Sequence, residues 1–227
     1  MTRWRIILAS AILVTSLIAS GSANAQEGSP AAGTAVPEPT ACTAEPRDLE
    51  ATLALWFDAA GAPVATPAMA AAVADETTLP DGPRADDATA AAITETTQNW
   101  VYCIEVAGEF ARGFSYVTDD LLAQFGPDLT NPAQDSPDEV RAALEGQLLG
   151  TPIAGTTIGG RMPPLSGPRK PRLLEDGRVA AMWSFGGDRV FFIYELVGDR
   201  WLIDEAIDII DTAATPIAGA AEATPAP

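Results

Sequence analysis

Histidine is missing from all 227 residues of the chain. Its absence excludes Ser-His-Asp and Cys-His catalysis, His-ligated zinc or non-haem iron, and any pH switch built on imidazole. Cysteine is scarce as well: Cys42 and Cys103 are the only two. Two thiols are too few for a thiolate metal centre or an iron–sulfur cluster, so neither a metal site nor a cofactor is expected. Bases are in short supply too, with 13 Lys and Arg against 31 Asp and Glu and a net charge of −18. Such a charge repels phosphate backbones and anionic head groups over a Debye length of ~8 Å, which argues against nucleic-acid and membrane-surface partners. The local exception, Arg169-Lys170-Pro171-Arg172, lies among prolines and reads as a gatekept sheet edge rather than an anion site. No serine has a base to activate it, and Gly159-Gly160 lacks the strand, helix and lysine of a phosphate loop.

Long apolar runs are also wanting, except at the start. Arg3 and Arg5 precede an apolar stretch from Ile6 to Ile18, and Ala23-Asn24-Ala25 follows. A basic start, a short apolar middle and an A-x-A site predict a secretory signal peptide over residues 1–25, cut after Ala25. The stretch is shorter than the ~20 residues of a spanning helix, and no cysteine follows it to carry a lipid. The mature protein is therefore expected to be secreted or extracytoplasmic, with no membrane contact after cleavage. In an oxidising compartment Cys42 and Cys103 most simply form one disulfide, closing a loop of about 60 residues for roughly 4 kcal/mol. Two buried thiols are the alternative.

Residues 26–41 and 212–227 are rich in Pro, Ala and Thr and contain few large apolar residues, so they are expected to be disordered. A similar Ala/Pro-rich insert near 61–83 interrupts what is otherwise one domain, 42–211. Its first half reads helical. Leu49, Leu53, Trp56 and Phe57 recur at helical spacing, and Ile93, Thr97, Trp100, Val101, Ile104 and Ala107 trace a longer helix over about 86–107. Thr118 caps a short third helix, where Asp119 and Asp120 read as first-turn acids rather than metal ligands. Ser136, Pro137 and Glu139 open a fourth as a capping box.

After Gly150 the pattern alternates. Four runs separated by Asp176-Gly177, Gly186-Gly187 and Gly198-Asp199 predict an antiparallel meander preceded by an irregular stretch, 151–168. Continuing the hairpin registers puts Val179, Ala181, Trp183, Val190, Phe192, Tyr194, Leu196, Trp201, Ile203, Ile207 and Ile209 on one face. Glu205 falls among them, opposite Phe192 and diagonal to Tyr194. Helices followed by a sheet with one apolar face predict an α+β layer in which the helices cover that face.

The stretch CIEVAGEFARGFSYVTDDLLAQF, with EDGRVAAMWSF through GDRWLIDEAIDI, resembles the nuclear transport factor 2-like superfamily over roughly residues 84–210. That resemblance implies N-terminal helices packed into the concavity of a curved antiparallel sheet, a cone, and a family that contains binding, interacting and enzymatic members. The insert after the first helix departs from the family's compact pattern.

Glu205 is the candidate for chemistry. A carboxylate facing an apolar cavity would have a raised pKa and serve as a general base, with Tyr194 or Tyr116 as donor, in an isomerase- or hydrolase-type site. Two bland readings stand beside this one: pairing with a buried donor, or a β-bulge between Asp204 and Glu205 that turns the side chain outward. Trp183, Phe192, Tyr194, Glu205 and Tyr116 are the candidate pocket residues. The leading expectation is a non-catalytic exported domain that binds a small apolar ligand or an extracytoplasmic protein. The alternatives are the Glu205 enzyme and an association module that dimerises through the sheet.

Overall fold

The structure is a computed structural model. It describes residues 36–65, 79–125, 136–149 and 162–209, which all fall within one compact unit. The expected signal peptide, most of segment 26–41, the middle of the insert and the tail 212–227 lie outside the described residues. Among the described residues the fold is α+β: five α-helices followed by a four-stranded antiparallel sheet of order β1-β2-β3-β4.

Helix α1, Leu49–Trp56, is capped by the Asp48 carboxylate, which accepts from the Ala51 amide. It ends at the extended Phe57, which forms an isolated bridge with Pro63. Helix α2, Asp87–Val101, begins at the Asp86 cap and continues without a break into a π-helical turn, Tyr102–Ala107, which closes at left-handed Gly108. Together they span the expected long helix. The wider turn rotates its end and leaves Cys103 fully buried. Short α3, Phe110–Gly113, runs into a 3-10 turn, Phe114–Tyr116. Gly113 lets this turn lie close to α2's extension, where a β-carbon would come within 2.3 Å of the Ile104 side chain and displace it. Helix α4, Asp119–Phe125, takes Thr118 as its cap, and α5, Pro137–Leu148, opens with the full capping box of Ser136 and Glu139.

The sheet consists of β1, Leu165–Leu173; β2, Val179–Phe185; β3, Asp188–Val197; and β4, Arg200–Ile209. Strand β1 begins within the stretch expected to be irregular, and two register shifts break its pairing with β2. Arg169 and Lys170 are exposed on this edge, Lys170 in a left-handed conformation, while Arg172 pairs with Asp81. Bulges, prolines and exposed bases blunt an edge against pairing with other chains. The β2–β3 register is as the Gly186-Gly187 turn predicts: Val179↔Tyr194, Ala181↔Phe192 and Trp183↔Val190.

The main core lies between the helices and one sheet face. Leu53, Trp56, Ile93, Phe110, Phe114, Leu121, Leu122, Val140 and Leu144 meet Val179, Ala181, Trp183, Val190, Phe192, Tyr194, Ile203 and Ala206 there. A disulfide joins Cys42 to Cys103 and ties the extended segment before α1 to the π-helical turn. Along the same segment Tyr102 donates to the Thr40 carbonyl, Arg112 to Ala44, and the Arg47 amide to Ala111.

Candidate functional site

The β3–β4 hairpin decides where Glu205 goes. From its Gly198-Asp199 turn the pairs run Val197↔Arg200, Leu196↔Trp201, Glu195↔Leu202 and Tyr194↔Ile203, as expected. A β-bulge follows. Ile193 pairs with Glu205, Phe192 with Ala206, Phe191 with Ile207 and Val190 with Asp208. Asp204 is the extra residue, and because side chains alternate with a period of two, one extra residue reverses the faces of everything after it. The inward placement of Glu205 therefore does not hold: it lies opposite Ile193 on the outer face, its side chain 34% exposed. Ile207 and Ile209 are corrected with it. They join Ala180, Met182, Phe191 and Ile193 in a second, outer cluster, against which Leu79 and Leu174 pack.

The bulge is held by a single guanidinium. Adjacent residues of a regular strand point to opposite faces. Here the bulge brings both carboxylates to one nitrogen: Arg178 Nη1 donates to Asp204 Oδ2 at 2.9 Å and to Glu205 Oε1 at 2.5 Å. Its Nε donates to Asp176 Oδ2 in the preceding turn at 2.7 Å. The bond to Glu205, then those to Asp176 and Asp204, hold Arg178 charged beyond the ordinary arginine range. The second Asp204 oxygen accepts from the Thr118 hydroxyl at 2.9 Å, and the same hydroxyl caps α4. Asp204 is thus 8% exposed and satisfied on both oxygens. For Glu205 this is the bulge that turns the side chain outward, and its partner there is a partly exposed arginine rather than a buried donor.

The other candidates stay on the inner face. Trp183, Phe192 and Tyr194 are 1%, 2% and 0% exposed and belong to the main core. Phe192 meets Trp100, Phe185 and Tyr194 edge to face. The Tyr194 hydroxyl bonds to the Thr97 hydroxyl at 2.7 Å, and Thr97 in turn reaches the Ile93 carbonyl. Burial pushes the Tyr194 phenol well above its usual range, against a smaller opposing effect of Thr97 and Trp183. The Trp183 indole N–H is near enough to act on the phenol, yet it falls short of hydrogen-bond geometry and has no partner among the described residues. Tyr116 is buried elsewhere, with the Arg200 guanidinium over its ring at 5.4 Å.

The sheet therefore separates Glu205 from Tyr194, and the expected base–donor pair is not assembled. A surface groove of about 490 Å³ is lined by Glu38, Met162, Pro163, Pro164 and Leu165, and none of the candidate residues borders it. The Arg178 network is what sequence reasoning missed. Its signal was an acidic pair, Asp204-Glu205, in an otherwise apolar strand, preceded by an arginine beside a turn. Comparison of the chain with protein-family models, curated proteins and solved structures returns no match.

Proposed function

We propose that the chain is an exported, non-catalytic binding domain of the cone-shaped, nuclear transport factor 2-like kind, and that it recognises an extracytoplasmic protein on its outer surface. The observation that carries this reading is the outward, arginine-paired position of Glu205, which puts it on the other side of the sheet from Tyr194, the donor expected to work with it. Side-chain packing supports the choice of a protein over a small apolar ligand, because Trp183, Phe192 and Tyr194 are in contact with core residues rather than bordering the groove. The sheet's outer face is a poor dimer interface, since Met182, Phe191, Ile193, Ile207 and Ile209 are already buried within a single chain. Recognition falls instead to the β3–β4 hairpin end. Leu196 and Val197 are 51% and 48% exposed there, rimmed by exposed Glu195, Asp199 and Arg200. An apolar pair within a charged rim suits a protein surface.

Two measurements test this. Native mass spectrometry of the purified exported chain should return the bare polypeptide mass; a stoichiometric retained small molecule would contradict surface recognition. A photo-crosslinking residue at Leu196 in the producing cells should label one discrete protein, and the label should disappear with Val197→Asp. The same residue at Leu173, exposed on β1, should not label it. Equal labelling from both positions would remove the hairpin from the account.

A further inference from the structure

Strand β4 has two pairings open to it. The turn sets one, in which Val197↔Arg200 through Tyr194↔Ile203 are paired, and the strand leaves it at Asp204. If the turn's register continued, Glu205 would lie opposite Phe192 and Ile207 opposite Val190 on the helix-covered face. Asp204, Ala206 and Asp208 would then line the other face. The bulged pairing instead keeps Ala206 against the helices and sends Ile207 and Ile209 to the outer cluster.

We infer that Arg178, with Asp176, Asp204 and Glu205, is a register lock that selects the bulged pairing, and that without it the second half of β4 becomes a two-register element. Two features carry the inference. One guanidinium nitrogen reaches both Asp204 and Glu205, which adjacent residues of an unbulged strand cannot offer to one partner. The lock is also anchored outside the hairpin, to the β1–β2 turn through Asp176 and to the start of α4 through Thr118. Glu205 adds to the selection as a charge that opposes the slipped pairing, where it would enter the apolar core. Arg178 acts here as a positioning residue. The slipped state would replace Ile207 and Ile209 on the outer face with Ala206 and Asp208, changing which surface the sheet presents.

The test uses the full chain with labelled isoleucine methyls. The wild type should show one set of Ile207 and Ile209 signals, with contacts to Met182 and Phe191. Arg178→Met should show a second set in contact with Trp183 or Trp100. Deleting Asp204 from that variant should restore a single outer-face set, because the turn's register and the correct faces then coincide. One wild-type set in Arg178→Met overturns the proposal. Should that variant fail to fold, Glu205→Leu carries the same test, since it removes one arm of the lock and the charge opposing slippage. A single wild-type set there overturns the proposal equally.

Discussion

Asp204 and Glu205 are neighbours with unequal roles. Asp204 is nearly enclosed and depends on Arg178 and Thr118 for its hydrogen bonds, whereas a third of the Glu205 side chain meets solvent. Arg178→Ala should therefore lower stability by ~2 kcal/mol, mostly by leaving the Asp204 charge unpaired, while Glu205→Gln should cost under ~1 kcal/mol. Denaturant midpoints of the two variants check the order, and an equal loss would mean that Glu205 is the buried partner. Tyr194 gives a prediction at high pH. Its phenol is held above the unfolded value of about 10, so the unfolded chain releases that proton first. The stability this provides is present in full below about pH 10 and is lost as pH rises beyond it. Unfolding free energy should fall more steeply above that pH in the wild type than in Tyr194→Phe, which also lacks the Thr97 bond worth ~1 kcal/mol. Parallel slopes would contradict the assignment.

At the scale of the element, β4 makes an unusual prediction. Removing Asp204 takes out the one unpaired residue and leaves every later residue on its present face. The deletion should fold with the same sheet, whereas an alanine inserted between Ala206 and Ile207 should turn Ile207 and Ile209 inward and cost several kcal/mol. Circular dichroism and thermal melting compare them; a deletion as damaging as the insertion would contradict the bulge. The bulge also shows what the sequence could carry. Helix caps at Thr118 and Ser136, and the registers set by the Gly186-Gly187 and Gly198-Asp199 turns, depend on residues within a few positions and were legible. The face of Glu205 was not, because alternation alone cannot say where a strand takes an extra residue. That choice was made by Arg178, 26 positions from Asp204. The π-helical end of α2 escaped as well, because the apolar spacing of Val101, Ile104 and Ala107 does not distinguish a π-helical turn from an α-helical one.

For the whole molecule, the disulfide and the segment before α1 act together. Cys42–Cys103 closes a loop of 61 residues that contains α1, the insert and α2. The Arg47 guanidinium adds bonds to the Phe114 and Val117 carbonyls and an ion pair with Asp119. Reduction, or Cys42→Ser with Cys103→Ser, should lower stability by about 4 kcal/mol while the oxidised and reduced chains keep similar helix content. Equal denaturant midpoints would show that the cross-link adds nothing. The sheet as a whole is apolar on both faces, one covered by the helices and the other carrying its own buried cluster. Asp204 and Glu205 are held by Arg178 at the bulge rather than within the main core. The central claim, that Glu205 sits outside a packed core and not within a reactive pocket, is tested most directly by cross-strand nuclear Overhauser contacts in the labelled wild-type chain. Contacts pairing Phe192 with Ala206 and Ile193 with Glu205 are predicted. Contacts pairing Phe192 with Glu205 and Val190 with Ile207 would return the carboxylate to the interior and contradict the account.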